Sequence, residues 1–245
     1  MLPLATGVRA IAKAGFDALE VMVTGDKLTQ DGATLRATAE DHGLSIGSIH
    51  APFLLLTRGV FTTDPVEKIK RSVQVAHDAG ASSVVVHPPY RWQSAYTTWL
   101  DTELERFIAD SGIHVSMENM FPVWMRGRGL QFHRVIQPAE LVKFPHVTLD
   151  TSHLAVAGVD IIEAYRAVGD KLAHIHLSNN LGHGRDSHAP LTTGVLPIVA
   201  FLRTLKDTEY TGSIALEMDI REYASKPAEL TALLTEQVDL MRAHL

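Results

Sequence analysis

The sequence predicts an α/β fold: a TIM-type (β/α)8 barrel that lacks its first strand or is irregular there. Three observations lead to it. First, one phrase recurs: an amphipathic helical segment, a small turn and a short β-rich run, read in AKAGFDALEVMV, EDHGLSIGSIH, HDAGASSVVVH, ADSGIHVSMEN, VKFPHVTLD, VGDKLAHIHL and EYTGSIALEM. Second, six of the runs close on a side chain able to bind a metal: His50, His87, Glu118, Asp150, His176 and Glu217. A barrel of parallel strands brings all its strand ends to one rim, where such residues would meet. Third, 245 residues without an evident linker is close to the usual size of one barrel, so a single domain over 1–245 is expected.

Taken in order, the elements have legible starts and stops. MLPLATG leaves little room for a strand ahead of the helix containing Val8 to Ala14; either the first strand is missing or the barrel is irregular at that point. Seven strands follow. They are rich in Val, Ile and Ala, as expected of strands covered on both faces. Gly15, Gly43, Gly80, Gly112 and Gly212 stand where helices should stop, since glycine tolerates the left-handed cap. Asp64-Pro65-Val66-Glu67 offers an N-cap, a first-turn proline and an acidic residue, starting a helix that runs to about Ala79. Gln137-Pro138-Ala139-Glu140 starts another. Ser225-Lys226-Pro227-Ala228-Glu229 starts the last, with Leu230, Leu233 and Leu234 turned to the core. Alternating strand and helix with short connections implies parallel strands and right-handed crossovers.

Composition narrows the function classes. Hydrophobic residues make up 46%, enough for a sizeable core. There is no cysteine, so disulfides and thiolate metal sites are excluded and any metal must use His, Asp or Glu. No secretion signal or membrane span is read, and a cytoplasmic location is the default expectation. The net charge of -6 opposes nucleic-acid binding, which rests on phosphate neutralisation. Cations bound near Glu118, Asp150, Asp186 and Glu217 would cancel much of that charge, so it weakens a nucleic-acid reading without excluding it.

Three further candidates join the six. His153 follows Asp150 by three residues in LDTSHL, and Asp186 and His188 form an Asp-x-His pair in GHGRDSHAPL. Nine ligands exceed what one zinc takes, so two or three ions, some bridged by a carboxylate, fit better. A lone His50 or His87 would read as an ordinary rim histidine. The ordered series reads otherwise, because four carboxylates and five histidines gathered without metal would repel, titrate or be costly to desolvate. His174 lies one layer deeper than His176 and reads as interior filling or as its support. Glu20 points into the barrel mouth or is a buried structural carboxylate. Asn119 binds substrate or turns away from its neighbour Glu118. His42, His77, His114, His133, His146 and His244 match no motif and read as surface or structural. Tyr90, Trp92, Tyr96 and Trp99 form packing or a sugar-facing wall. His183 and Arg185 beside the Asp-x-His pair, and Arg126 and Arg128 in WMRGRG, are substrate-anion candidates or solvated loops.

The phrases IHAPF, VVVHPP, VSMENM, LDTSHLAVAG, HIHLSN, GRDSHAPLTTG and YTGSIALEM, in this order, resemble those of the xylose-isomerase-like barrel superfamily, which includes sugar-phosphate isomerases, ketose epimerases and endonuclease IV. The resemblance covers nearly the whole chain except the first strand. It implies a common metal set on Glu118, Asp150, His176 and Glu217. In the endonuclease IV branch it implies three zinc ions: one on His50, His87 and Glu118, one on the common set, one on His153, Asp186 and His188. Two departures count against DNA repair. The loop TGDKLTQDGA has no arginine or aromatic residue, and LSNN follows His176 where the nuclease branch tends to carry an aspartate.

The expected activity is that of a divalent-metal-dependent sugar or sugar-phosphate isomerase or epimerase. Zinc or manganese is the expected cofactor, one to three ions per chain. Glu118 and Glu217 would exchange the proton through an enediolate. His153 would orient a substrate hydroxyl, and Arg185 and Arg126 would meet substrate anions. The alternatives are a trinuclear-zinc phosphoester hydrolase and a non-catalytic metal- or sugar-binding barrel. The expected partner is a small carbohydrate; a nucleic acid is disfavoured without being excluded, and no membrane is expected. Oligomeric state is not legible.

Overall fold

The computed structural model describes residues 4–53, 57, 59–125, 128–134 and 137–245. Strands β1 (Ala18–Met22), β2 (Ser45–His50), β3 (Ser83–Val86) and β4 (His114–Glu118) are followed by a hairpin of β5 (Val123–Met125) and β6 (Arg128–Leu130), then by β7 (His146–Asp150), β8 (Leu172–Leu177) and β9 (Ser213–Leu216). Seven of them form one sheet in the order β1-β2-β3-β4-β7-β8-β9, every neighbouring pair parallel. The helices are α1 (Leu4–Ala14), α2 (Gly32–Glu40), α3 (Pro65–Ala79), α4 (Ser94–Thr102), α5 (Leu104–Ser111), α6 (Pro138–Leu141), α7 (Thr151–Ala157), α8 (Ile161–Val168), α9 (Ile198–Asp207) and α10 (Pro227–His244). The fold is a TIM barrel with an irregular edge. Among the described residues β9 and β1 do not pair, and the wall is open between them.

The strands repeat the logic of their sequence. β3 reads SVVV and is buried throughout, whereas β9 at the seam is only partly covered. Beside the seam, Ala10 and Ala14 of α1 pack on Leu230 and Leu234 of α10 in a small cluster apart from the main core. The start of α3 is as read: Asp64 accepts from the backbone N–H of Val66 and Glu67, and Gly80 ends the helix at φ 74°. Gln137 and Glu140 form a reciprocal capping box, but the helix after them lasts only four residues.

Two readings need correction. Gly212 is not a left-handed cap; α9 ends at Asp207, and Glu209 takes the positive φ of 52°. Gly212 is required for another reason, since a Cβ there would stand 2.8 Å from the Ala173 carbonyl oxygen. The WMRGRG stretch is not a plain loop, because Val123–Met125 pairs antiparallel with Arg128–Leu130.

Two register shifts aim side chains at the centre. The pairing of β1 with β2 steps past Gly47, setting Glu20 opposite Ser48. The pairing of β7 with β8 steps past Ala173, setting His174 opposite Thr148 and His176 opposite Asp150. Such bulges re-aim side chains, and here both act on residues beneath or within the site.

Candidate metal centre

Glu118 is the pivot. It ends β4, is 1% exposed, and spreads its two oxygens over different histidines. Oε2 lies 2.9 Å from His87 Nε2 and 3.4 Å from His50 Nε2. Oε1 lies 3.2 Å from His176 Nδ1 and 3.4 Å from His153 Nδ1. His176 Nδ1 is also 3.0 Å from Glu217 Oε2 and 3.9 Å from Asp150 Oδ2. The result is three donor sets with ligand atoms within 4.8 Å of one another: His50/His87/Glu118, Glu118/Asp150/His176/Glu217 and Asp150/His153/His188. Asp186 adjoins the third set, with Oδ2 2.8 Å from His188 Nε2 and 3.4 Å from His153 Nε2. All nine side chains singled out in the sequence therefore converge.

Local structure holds each ligand. The His50 Nδ1–H donates to the Ala51 carbonyl at 2.9 Å, leaving Nε2 toward Glu118. Tyr96, almost fully buried, donates its hydroxyl to the His87 carbonyl at 2.9 Å. Asp150 caps α7, accepting from the His153 N–H at 2.8 Å, so strand end and helix start share one carboxylate. The His153 Nδ1–H donates to the Asn119 carbonyl at 2.8 Å. Asn119 does not face substrate. It is buried, donates to the Asp150 carbonyl at 3.1 Å and accepts from the Asp150 N–H at 2.7 Å, fastening β4 to β7. Ser152 donates to Asp186 at 2.6 Å. His188 sits at φ 37°, a left-handed conformation that costs a non-glycine residue free energy and is typical of functional loops.

Under the cage lies a second layer. Glu20 places Oε1 2.9 Å from His176 Nε2 and Oε2 2.9 Å from His174 Nε2, and accepts from Ser48. His174 also meets Ser213 through Nδ1. The two Nε2 atoms approach Glu20 as close N···O contacts without hydrogen-bond geometry. Glu20 points inward with 15% of its side chain exposed, and with His174 and His176 it forms a fourth group of donor atoms within 4.8 Å.

The ionisation pattern follows from this crowding. Burial alone would raise Glu118, but His176 and His87 hold it well below the usual carboxylate range. Burial would likewise raise Glu217, and His176 holds it down. Burial pushes Asp150 up to about 6 despite His153. Burial would lower His153 and His188, yet Asp150 and Asp186 lift them to about 10 and about 9. Burial also lowers His87.

The donor set fits a divalent ion. Glu118 Oε2, Asp150 Oδ2 and Glu217 Oε2 are buried without a hydrogen-bond donor. A bare carboxylate oxygen out of water is costly, and cations held in the donor sets to which these oxygens belong would satisfy them. Imidazole and carboxylate suit zinc and manganese.

A cavity of about 480 Å³ opens over the ligands, walled by Phe53, Tyr90, Trp92, Met120, Phe121, Val123, Phe132 and His133. It is of the size that holds a small organic ligand. The aromatic stretch of the sequence divides: Tyr96 and Trp99 pack inward, Tyr90 and Trp92 line the cavity. His133, read from the sequence as surface or structural, is buried and lines it too. Its only signal is long-range, an isolated bridge to Tyr90. Arg185 is exposed and does not line the cavity. Arg126 lies outside the described residues.

The profile of the family described as "Xylose isomerase-like TIM barrel" matches residues 8–244. The chain belongs to this family. An uncharacterized Mycobacterium leprae (strain TN) member is 32% identical over 257 residues, covering 96% of this chain and 90% of its own. Three solved barrels share the fold. A D-tagatose 3-epimerase-like protein has TM-score 0.66 and 24% identity, over 94% of this chain and 91% of its own. The 3-keto-D-glucoside 4-epimerase of E. coli has TM-score 0.69 and 17% identity, over 99% and 96%. An AP endonuclease, family 2, of Brucella melitensis has TM-score 0.67 and 16% identity, over 92% and 94%. Among the described residues of this xylose isomerase-like barrel, no helix is long and apolar enough to cross a membrane.

Proposed function

We propose that this protein is a divalent-metal-dependent sugar isomerase or epimerase that moves a proton through an enediolate. One observation carries the reading: Glu118 and Glu217 bring carboxylate oxygens within 4.8 Å of each other, in one set with Asp150 and His176, at the floor of an apolar-walled cavity. The names of barrels of the same fold, a D-tagatose 3-epimerase-like protein and a 3-keto-D-glucoside 4-epimerase, support a sugar as substrate.

A divalent ion on Glu118, Asp150, His176 and Glu217 supplies Lewis acidity toward a carbonyl and its neighbouring hydroxyl. The chain's residues do the rest. Glu217 is the more open carboxylate, with 30% of its side chain exposed against 2% for Glu118, and takes the proton from the carbon beside the carbonyl. The C–H electron pair then forms the enediolate. In epimerisation the ionised Glu118 first accepts a proton from the protonated His153, 3.4 Å from its Oε1, and returns it to the same carbon from the other face, while the proton on Glu217 leaves to solvent. In isomerisation Glu217 delivers its proton to the neighbouring carbon. His153, held by the Asn119 carbonyl, orients a substrate hydroxyl. Phe53 and Phe121 keep water from the intermediate.

The test is solvent-deuterium exchange into a panel of ketoses, their phosphates and 3-keto-glucosides, with the manganese- or zinc-loaded protein. At least one sugar should exchange, and Glu217→Gln should abolish it. Exchange into none overturns the reading.

A second reading has its own support. Glu118 spans two donor sets and Asp150 joins a third, which suits a trinuclear-zinc phosphoester hydrolase. Metal analysis separates the two, with about one ion per chain for the isomerase and up to three for the hydrolase. Cleavage of an abasic-site duplex would favour the latter.

A further inference from the structure

The cavity extends past the metal ligands along a line of rings. The Tyr90 ring lies 4.2 Å from that of His133 between centroids, tilted by 31°, and His133 stands edge-on to His87 at 6.2 Å. On its other side Tyr90 stacks on Trp92 at 4.8 Å, the planes 3° apart. Trp92 is 59% exposed, and Phe132 and Val123 beside it are 37% and 40% exposed. These side chains line the cavity from the metal-ligand candidates outward to the exposed Trp92.

The wall is preformed. The Arg91 N–H donates to the Phe132 carbonyl at 2.9 Å, and the Arg134 N–H to the Pro89 carbonyl at 2.9 Å. The Arg91 side chain donates to the Gln131 carbonyl at 3.0 Å, and the Arg134 side chain to the Arg91 carbonyl at 3.1 Å. His133 donates through Nδ1 to the Pro88 carbonyl at 2.7 Å, and burial lowers its pKa to about 4, so its ring is uncharged near neutral pH. Two loops from different parts of the chain are therefore tied together, which fixes the ring planes before any ligand arrives. Trp92 stacks on Tyr90, yet the residue is left 59% exposed. Exposed apolar surface continuous with a polar reaction centre marks a binding surface.

We propose that the sugar handled by this centre carries a flat apolar group, as in an aryl glycoside, and that Trp92, Tyr90, Phe132 and Val123 form the subsite for it. The proposal rests on the sugar reading above. A bare hexose has polar edges and needs one ring face to stack on. Three rings in line, in a cavity of about 480 Å³, offer contact well beyond one pyranose. Flat apolar groups gain from offset stacking on such rings. The hydroxyls that reach the metal set and the apolar extension on the ring wall would fix the substrate at both ends.

The test compares methyl and 4-nitrophenyl 3-keto-β-D-glucoside as substrates for deuterium exchange by the metal-loaded full chain. It also compares methyl and 4-nitrophenyl β-D-glucoside as ligands in calorimetry. The aryl compound is expected to have KM and Kd lower by about tenfold or more. In Trp92→Ala that ratio should fall toward one, and Trp92→Phe, which keeps a ring, should restore most of it. Equal values for aryl and methyl compounds in the wild type overturn the proposal, as does a ratio that survives Trp92→Ala. If no sugar exchanges, the sugar reading fails on its own, and the calorimetric ratio still decides the subsite.

Discussion

Nε2 of His176 lies 2.9 Å from Oε1 of Glu20, on the ring edge opposite the one that meets the metal cage. Nδ1 of the same ring faces Glu118 and Glu217. One imidazole thus joins the candidate ligand set to a carboxylate beneath it, and a carboxylate behind a histidine would fix its ring orientation and raise its basicity as a metal ligand. Glu20→Gln keeps the shape and removes the charge. Metal affinity should weaken by about 10- to 100-fold, read by chelator competition at a temperature where both ion-free proteins are folded. Unchanged affinity would show that Glu20 is only a filler.

Glu118 serves two donor sets through its two oxygens, whereas Asp186 touches only the His153 and His188 side. Glu118→Ala should therefore strip ions from both of its sets, and Asp186→Ala should remove at most one ion and leave the Glu118/Asp150/His176/Glu217 set loaded. Metal analysis of the two variants beside the wild type checks this. Equal stoichiometry in both would contradict the division into sets.

Burial opposes a proton on His153 and His188, but Asp150 and Asp186 outweigh it, holding them at about 10 and about 9. Both values are raised above the ordinary histidine value of about 6.5. In the ion-free protein these protons therefore contribute stability that is complete below pH ~6.5 and lost as pH rises through ~9 to ~10. A metal needs the same lone pairs. Binding to the third set at pH 7 should release about two protons, and affinity should climb with pH over that range. Calorimetry in buffers of different ionisation enthalpy measures the release. A value of zero would mean that these histidines are neutral before the metal arrives.

Asn119 makes two buried hydrogen bonds to the Asp150 backbone and touches the cavity with neither. Asn119→Ala leaves a buried N–H and a buried carbonyl unpaired, at a cost of about 1–3 kcal/mol each. Urea denaturation of the ion-free protein should show the loss. A variant as stable as the wild type would mean that water or a shift of β7 replaces the contacts.

Much of the centre could be read along the chain because each ligand belongs to a local phrase. His50, Glu118, Asp150 and His176 end or nearly end strands, His87 and Glu217 follow strands directly, and parallel strands gather their ends whatever else the fold does. His133 escaped notice because nothing within its own segment marks it. It reaches the cavity only through a pairing with Tyr90, 43 residues earlier in the chain. Asn119 was left open for a similar reason: strand alternation turns it away from Glu118, but that says nothing of the Asp150 backbone it meets there.

The seven barrel strands, most helix caps and the identity of the candidate metal-binding side chains follow from periodicity and residue chemistry, which act over a few neighbours. Which oxygen of Glu118 meets which histidine, how Glu20 comes to stand under His176, and where the wall opens between β9 and β1 depend on register. Two single-residue steps, at Gly47 and Ala173, set that register. A one-residue slip reverses the facing of every side chain beyond it, and only packed neighbours on both sides of a strand can choose between the two outcomes.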